Sequence, residues 1–515
     1  MDIIIESFKS LLTMDVFIAL MVGVIGGMVI GALPGFTASM GVTLLLPVTF
    51  GMEAIPALVM LTALYTSAIY GGSITAILIH TPGTPSSAAT ADDGFALTQQ
   101  GHGLQALGVS TICSGLGGFA SGIMLLLIAP PLAKLSLMFG PAEYFLVAIF
   151  GLTVIGSLCT GGVSKGLLSA AIGLCISCIG MDEQMGFPRY TFGNVNLIGG
   201  LASIPVLIGL FSISQVMIMA EDVKDADTKL VNEAINNLKG KILLPAKEMA
   251  ALIIPTLRSS IIGIIVGILP GAGGDIGSYV SYNVGKQTSK HPELYGKGSY
   301  EGIACSEAAN NAVTGGSLIP LITLSVPGSA TAAILLGGFL MHGLVPGNLM
   351  FTEQAGITYP IIIGFTISNI LLAILGLFIA RYVAKITTIS ISLLAPTIVV
   401  LGVLGSYAVN LSMFDVFVMA FFGFFGYIMR KTDLTVAPIV LAIILGPIAE
   451  KNLVRSFVVA KSMPIVSYYL SRPINKILLV LIAISIVIPI INNYRYKNKA
   501  LKLSEANSSC EADLD

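Results

Sequence analysis

The sequence predicts an all-α polytopic membrane protein: roughly ten to twelve transmembrane helices in two repeats, with broken or re-entrant helices in each. Three observations carry this reading. Hydrophobic residues make up 55% of the 515-residue chain and charged ones only 10%, against about 25% charged in a soluble domain. Apolar runs of about 20 residues, the length that crosses a bilayer, recur along the chain. Finally, two pairs of apolar runs are interrupted by the same Pro-Gly text at matching places. The 57 glycines suit close helix packing in lipid, where small residues let backbones approach.

Taken in order, the N-terminus MDIIIESFKSLLTMDVF has neither the basic start nor the cleavage site of a secretory signal. The first apolar run is therefore expected to stay as a span. Spans are expected near 14–33, 54–80, 104–128, 141–160, 164–180 and 196–218, with 36–50 a half-span. Residues 1–220 make a first membrane half, and 221–248, of mixed charge, read as a solvated connector. A second half, 249–475, restarts at 249–269 and carries 303–325 and 328–345 around its own Pro-Gly. Further spans fall near 357–380, 386–408, 412–429 and 434–449; 476–515 holds a last span and a polar tail. Lysine and arginine flank that last span on both sides, so the loop-charge rule leaves orientation open.

The interruptions are the informative part. An apolar run stops at Thr81-Pro82-Gly83 and is followed by Thr84, Pro85, Ser86 and Ser87. The second copy reads Pro327-Gly328-Ser329-Ala330-Thr331. Upstream, Leu33-Pro34-Gly35 has its twin in Leu269-Pro270-Gly271. Pro270 lies 236 positions after Pro34, and Ser317, in Gly315-Gly316-Ser317, lies 244 after Ser73, in Gly71-Gly72-Ser73. Proline removes a backbone donor and glycine admits unusual dihedrals, so a helix ends at each site. In hydrocarbon the freed groups cost several kcal/mol each, so such breaks belong inside protein or beside water. Paired interruptions in corresponding halves point to the substrate site of a secondary transporter. Expected substrate-binding positions are Pro34, Gly35, Ser73, Thr81, Pro82, Gly83, Thr84, Ser86 and Ser87 in the first half. In the second they are Pro270, Gly271, Ser317, Pro327, Gly328, Ser329 and Thr331. The hydroxyl residues after each Pro-Gly read as helix N-caps, and a helix start binds anions through free N–H groups. Ordinary capping of short helices is the plainer reading of the same residues.

Glu307, Asn310, Asn311 and Thr314 fall at i, i+3, i+4 and i+7, making one polar face on an otherwise small, apolar segment. Such groups within a span face an ion or substrate path, or hydrogen-bond between helices. They are expected to serve ion coupling, together with Asp93 and, more weakly, Asp275. Asp93 could also cap a helix, while coordinating a cation and marking the return to water weigh equally for it. Matched through Gly-Gly-Ser, the first half puts Thr66, Ser67 and Tyr70 where the second has Asn310, Asn311 and Thr314.

Other functions find no support. The net charge of −1 says nothing about nucleic acid, and no dense basic stripe suggests it. There is no phosphate loop of the G-x-x-x-x-G-K-[ST] type, and His80, His102, His291 and His342 lie scattered without metal-ligand spacing. Cys175-x-x-Cys178 sits in an apolar run without a βαβ context, so no redox pair or disulfide is expected. No catalytic constellation, metal or cofactor is expected beyond Na⁺ or H⁺ as a coupling ion. The rival reading is a stand-alone permease or a channel for another small anionic or polar solute.

The segments GALPGFTASMGVTLLLPVTFG, YGGSITAILIHTPGTPSSAATADDGFAL, GILPGAGG, GKGSYEGIACSEAANNAVTGGSLIPL, VPGSATAAILLGG and GPIAEKNLVRS carry a resemblance. In these the chain resembles the large membrane subunit (TctA-type) of tripartite tricarboxylate transporters. His80, Asp275 and Ser325 depart from that family's pattern. The resemblance implies a multi-pass permease of the inner membrane, in contact with membrane lipid and assisted by a small membrane subunit and an extracytoplasmic solute-binding protein. It also implies uptake of citrate-like or other small organic anions with Na⁺ or H⁺.

Overall fold

The computed structural model describes residues 2–33, 35–157, 163–182, 184, 186–221, 240–271, 273–386, 391–461 and 463–487. The middle of the expected connector, 222–239, and the C-terminal tail lie outside the described residues. The rest is helical apart from one two-residue antiparallel pairing, Gly180–Met181 with Pro188–Arg189. Nine described helices are long and apolar enough to cross a membrane, or ten if the bent pair Ile465–Ser471 and Pro473–Val487 forms one span. The protein is a multi-pass membrane protein.

The chain folds into two compact units that interleave in sequence: residues 1–138 with 201–428, and 139–200 with 429–515. In the first unit the helices are α1 (Asp2–Leu11), α2 (Met14–Ala32), α3 (Ala38–Leu45), α4 (Ala54–Ile79), α5 (Ala88–Gln99) and α6 (Gly103–Leu135). In the second unit, α7 (Pro141–Ser157) and α8 (Val163–Ser177) follow. The first unit resumes with Ser203–Leu207 and Ser214–Glu221, joined by a π-helical turn, and then α9 (Ile253–Ile268), α10 (Gly273–Thr288), α11 (Tyr300–Leu324) and α12 (Ala330–Met341). It continues through α13 (Ala355–Ile386) and α14 (Ile391–Asn410) into α15 (Met413–Lys431). The second unit closes on α16 (Ala437–Ala460), which packs on α7 and α8. There a buried Glu143 carboxylate accepts from Arg472 and from the Gly140 N–H, both at 2.8 Å. Such a partner is what an acid inside a helical bundle needs.

Glycine places the breaks. Gly31 of α2 and Gly71 of α4 cross so closely that a Cβ on Gly71 would lie 2.5 Å from Met28 O and 3.0 Å from Gly31 Cα. The chain then ends α4 at His80 (φ 55°), turns through Pro82, and runs back so that Gly83 N donates to Gly72 O at 3.1 Å. A Cβ on Gly83 would run into Gly31 O. The second half repeats each step. A Cβ on Gly316 of α11 would lie 2.7 Å from Ile264 O and 3.1 Å from Gly267 Cα; α11 ends at Ser325 (φ 60°), and a Cβ on Gly328 would run into Gly267 O. His80 and Ser325 are non-glycine residues in the left-handed region, which costs about 1 kcal/mol each.

These contacts correct the expected register by one residue. The partner of Gly71 is Gly316 and that of Gly83 is Gly328, an offset of 245 rather than 244. Repeat matching is set by where backbones cross, not by the identity of Gly-Gly-Ser. Asn310 and Asn311 therefore correspond to Tyr65 and Thr66, and Ser317 to Gly72. The polar face of the 25-residue α11 leaves it less apolar than the nine spans, yet nearly every residue of it is buried.

The crossing predicts a contrast within α2. A Cβ on Gly31 would strike Ala68 O, whereas one on Gly26 meets nothing within 4 Å. Gly31→Ala is expected to cost about 1–3 kcal/mol and lower the melting midpoint of detergent-solubilised protein by several degrees. Gly26→Ala should leave that midpoint unchanged or slightly raised.

Candidate functional site

Each break is completed by a side chain from the other half. At the second break, Tyr65 of α4 reaches across, its hydroxyl 3.2 Å from Ser317 Oγ and 2.9 Å from Ser329 Oγ. Ser39, near the start of α3, lies 2.8 Å from Thr331 Oγ1. Ser329 caps α12, its Oγ accepting from Ala332 N at 3.2 Å, as expected of an N-cap. Gly271 N donates to Gly328 O at 2.9 Å, tying the two second-half interruptions together. The result is a cluster of five hydroxyls at a helix start, with no acidic group hydrogen-bonded into it.

The first break is built on the same plan with different chemistry. Thr84 and Ser86 hydroxyls lie 3.2 Å apart, and Ser87 Oγ donates to Thr84 O at 2.7 Å. Facing them is Gly274 at the start of α10: a Cβ there would sit 3.0 Å from Ser86 Cβ and 2.9 Å from Asn310 Oδ1. Asn310, the counterpart of Tyr65, is 1% exposed, and neither its oxygen nor its nitrogen has a partner among the described residues. Asp275, the counterpart of Ser39 by the 236 offset, is accessible from outside the protein.

Between the breaks the polar face of α11 is divided. Asn311 Nδ2 donates to Thr66 O and Oγ1, both at 3.3 Å, and Thr314 donates to Thr66 at 3.4 Å. Thr66 passes its own proton to Asn369 Oδ1 at 2.7 Å. Asn311 Oδ1 stays unpartnered. Glu307 is fully buried and faces hydroxyls only: Ser73 (2.7 Å) and Thr90 (2.5 Å) on one oxygen, Ser110 (3.2 Å) and Ser114 (2.7 Å) on the other. Four donors saturate a carboxylate, which explains how it is held without a cation.

The expected residues thus separate. Thr84, Ser86, Pro327, Gly328, Ser329, Thr331, Ser317, Gly271 and Asn310 gather at the two breaks. Ser73 is spent on Glu307 instead. Thr81 is exposed, and Pro82 and Gly83 shape the turn. Gly35 and Gly271 take the matched φ of 80° and 74°; Pro34 lies outside the described residues. Asp93 sits elsewhere: its Oδ1 accepts from Gly296, Gly298 and Ser299 N–H groups at 2.8–3.0 Å and its Oδ2 from Tyr282 at 2.8 Å. Its carboxylate anchors the loop before α11. The sequence reading missed Tyr65, Ser39, Thr90, Ser110, Ser114 and Asn369. Tyr65 was findable, because the 245 offset between the two Pro-Gly pairs sets it opposite Asn310.

Paired helix interruptions that present unused polar groups are the pattern in which secondary transporters build their substrate sites. Comparison with known proteins agrees. The chain belongs to the tripartite tricarboxylate transporter TctA family, whose profile matches residues 17–441. Two curated proteins of Agrobacterium vitis are similar to it. "Uncharacterized 52.8 kDa protein in TAR-I ttuC' 3'region" is 34% identical over 498 residues, 97% of this chain and 98% of that protein. "Uncharacterized protein in TAR-II ttuC' 3'region" is 34% identical over 235 residues, 46% of this chain and 96% of that protein. No solved structure matches the chain.

The saturated carboxylate predicts an order of sensitivity. Glu307→Leu strands four buried hydroxyls, each costing on the order of 1 kcal/mol or more. It should abolish the monodisperse peak in size-exclusion chromatography. Glu307→Gln keeps one acceptor oxygen and should give folded protein with a lowered melting midpoint. Asp275→Asn, at an accessible position, should melt like the parent.

Proposed function

We propose that the chain is the permease of an ion-gradient-driven uptake system for organic carboxylates such as citrate-like di- and tricarboxylates. The solute is delivered by an extracytoplasmic solute-binding protein, and the chain works beside a small membrane subunit in the inner membrane. The observation that carries this reading is the cross-half construction of the breaks. Tyr65 reads Ser317 and Ser329, while Asn310 stands beside Ser86 and Gly274. A carboxylate entering the second break would exchange the hydroxyl–hydroxyl bonds of Ser39, Tyr65, Ser329 and Thr331 for stronger bonds to an anion, at the positive end of α12. Because groups from both halves make one site, a rocking of one half against the other would open it to either side in turn. Two repeats of inverted topology would supply that motion.

The test is uptake of radiolabelled citrate into proteoliposomes under an imposed ion gradient, with the binding protein present. The parent should accumulate citrate. The double change Ser329→Ala with Thr331→Val is expected to lower uptake at least tenfold, about 1.4 kcal/mol of binding, with the protein still folded. Asn311→Leu should also reduce uptake. Full activity in the double variant would exclude the second break as the carboxylate site, and undiminished uptake by Asn311→Leu would remove that residue from the mechanism.

A further inference from the structure

The two breaks are copies of one plan, yet only one of them is closed on itself. At the second break every hydroxyl that faces inward has a partner: Tyr65 with Ser317 and Ser329, Ser39 with Thr331. At the first break the corresponding positions hold Asn310 in place of Tyr65 and Asp275 in place of Ser39, and the Asn310 amide bonds to nothing among the described residues. A buried amide without partners forfeits the energy of its hydrogen bonds, so it persists where something else supplies them. Resting on the carboxylate-permease reading, we propose that the first break is a Na⁺ site, formed by Asn310 Oδ1 and Ser86 Oγ around Gly274, with Asp275, the next residue of α10, supplying the negative charge.

The donor chemistry selects the ligand. A carboxamide oxygen, a hydroxyl and a single carboxylate are hard oxygen donors of low total charge. They suit an alkali cation, whereas an anion would meet Asp275 as a like charge. The space itself is kept by a glycine: a Cβ on residue 274 would intrude to 2.9 Å from Asn310 Oδ1 and 3.4 Å from Ser86 Oγ. Neither Glu307 nor Asp93 competes for the role. Glu307 is saturated by four hydroxyls, and Asp93 by three backbone N–H groups and a phenol. The pseudo-symmetric pair of breaks then has a cation pole and an anion pole. Na⁺ at the first places positive charge beside the carboxylate at the second, so each ligand strengthens the other's binding.

The experiment measures equilibrium binding of ²²Na⁺ to the purified full-length protein in detergent, choline chloride holding ionic strength constant, without any carboxylate present. The parent should bind Na⁺ saturably and exclude K⁺. Asn310→Leu, Ser86→Ala and Gly274→Ala should each raise the Na⁺ midpoint at least tenfold. Asn310→Asp restores an oxygen donor and should bind as tightly as the parent or tighter, which separates a lost ligand from a misfolded bundle. Tyr65→Phe, at the mirror position, should leave the Na⁺ midpoint within twofold. No saturable Na⁺ binding in the parent, or an unchanged midpoint in folded Gly274→Ala, overturns the site. Citrate uptake driven by a pH gradient without Na⁺ also overturns it while leaving the permease reading intact. Na⁺ binding with no citrate uptake upholds the site and sinks the carboxylate reading.

Discussion

A backbone immersed in hydrocarbon has to find its hydrogen bonds within the protein, and that constraint governs the whole of this fold. Two long helices, α4 and α11, each end on a left-handed residue, and the chain beyond each end is folded back against the helix pair it has just left. Only glycine permits this, because the returning strand passes where a Cβ would strike Gly31 O in one half and Gly267 O in the other. Gly83 N on Gly72 O and Gly271 N on Gly328 O recover bonds that the breaks release. Close packing and broken helix are thus one device, used twice.

The same device decides what lies opposite what. With the backbones locked at Gly71 and Gly316, the side chains one turn and a half earlier, Tyr65 and Asn310, are carried toward the break of the opposite half. A tyrosine in one place and an asparagine in the other make two half-sites of like shape and unlike charge. Five hydroxyls around a helix start favour a negative group; an open amide beside an aspartate favours a positive one. A protein that must hold an anion and a cation together gains from such a division, since neither ligand needs a buried lysine or arginine to balance it.

Much of this was legible in the sequence because it depends on local chemistry. Composition pointed to the membrane class, and Pro-Gly text located both breaks, although each helix ends three residues ahead of its proline, at Ile79 and Leu324. The polar face of α11 was plain from its spacing. What the sequence hid depends on contacts across the bundle. The one-residue slip in repeat register comes from glycine crossings that Gly-Gly-Ser identity obscures. Glu307 read as an ion ligand because its four hydroxyl partners come from α4, α5 and α6, at separations of 193 to 234 residues. Asp93 read similarly, and its partners are backbone groups some two hundred residues away that no side-chain pattern announces. The interleaving of the two compact units likewise leaves no mark on hydropathy.

The central claim is that the first break and the start of α10 face each other across one small polar space. Disulfide trapping addresses it most directly, using Ser86→Cys with Gly274→Cys in a chain whose six native cysteines are replaced. The two Cβ atoms would lie 3.0 Å apart, about half an ångström inside the range of a relaxed disulfide, roughly 3.5–4.5 Å. Mild oxidation in membranes should link them, as read from the mass of the joined peptides, and Na⁺ should slow the reaction. Two cysteines that each react with a small thiol reagent yet never join would contradict the account.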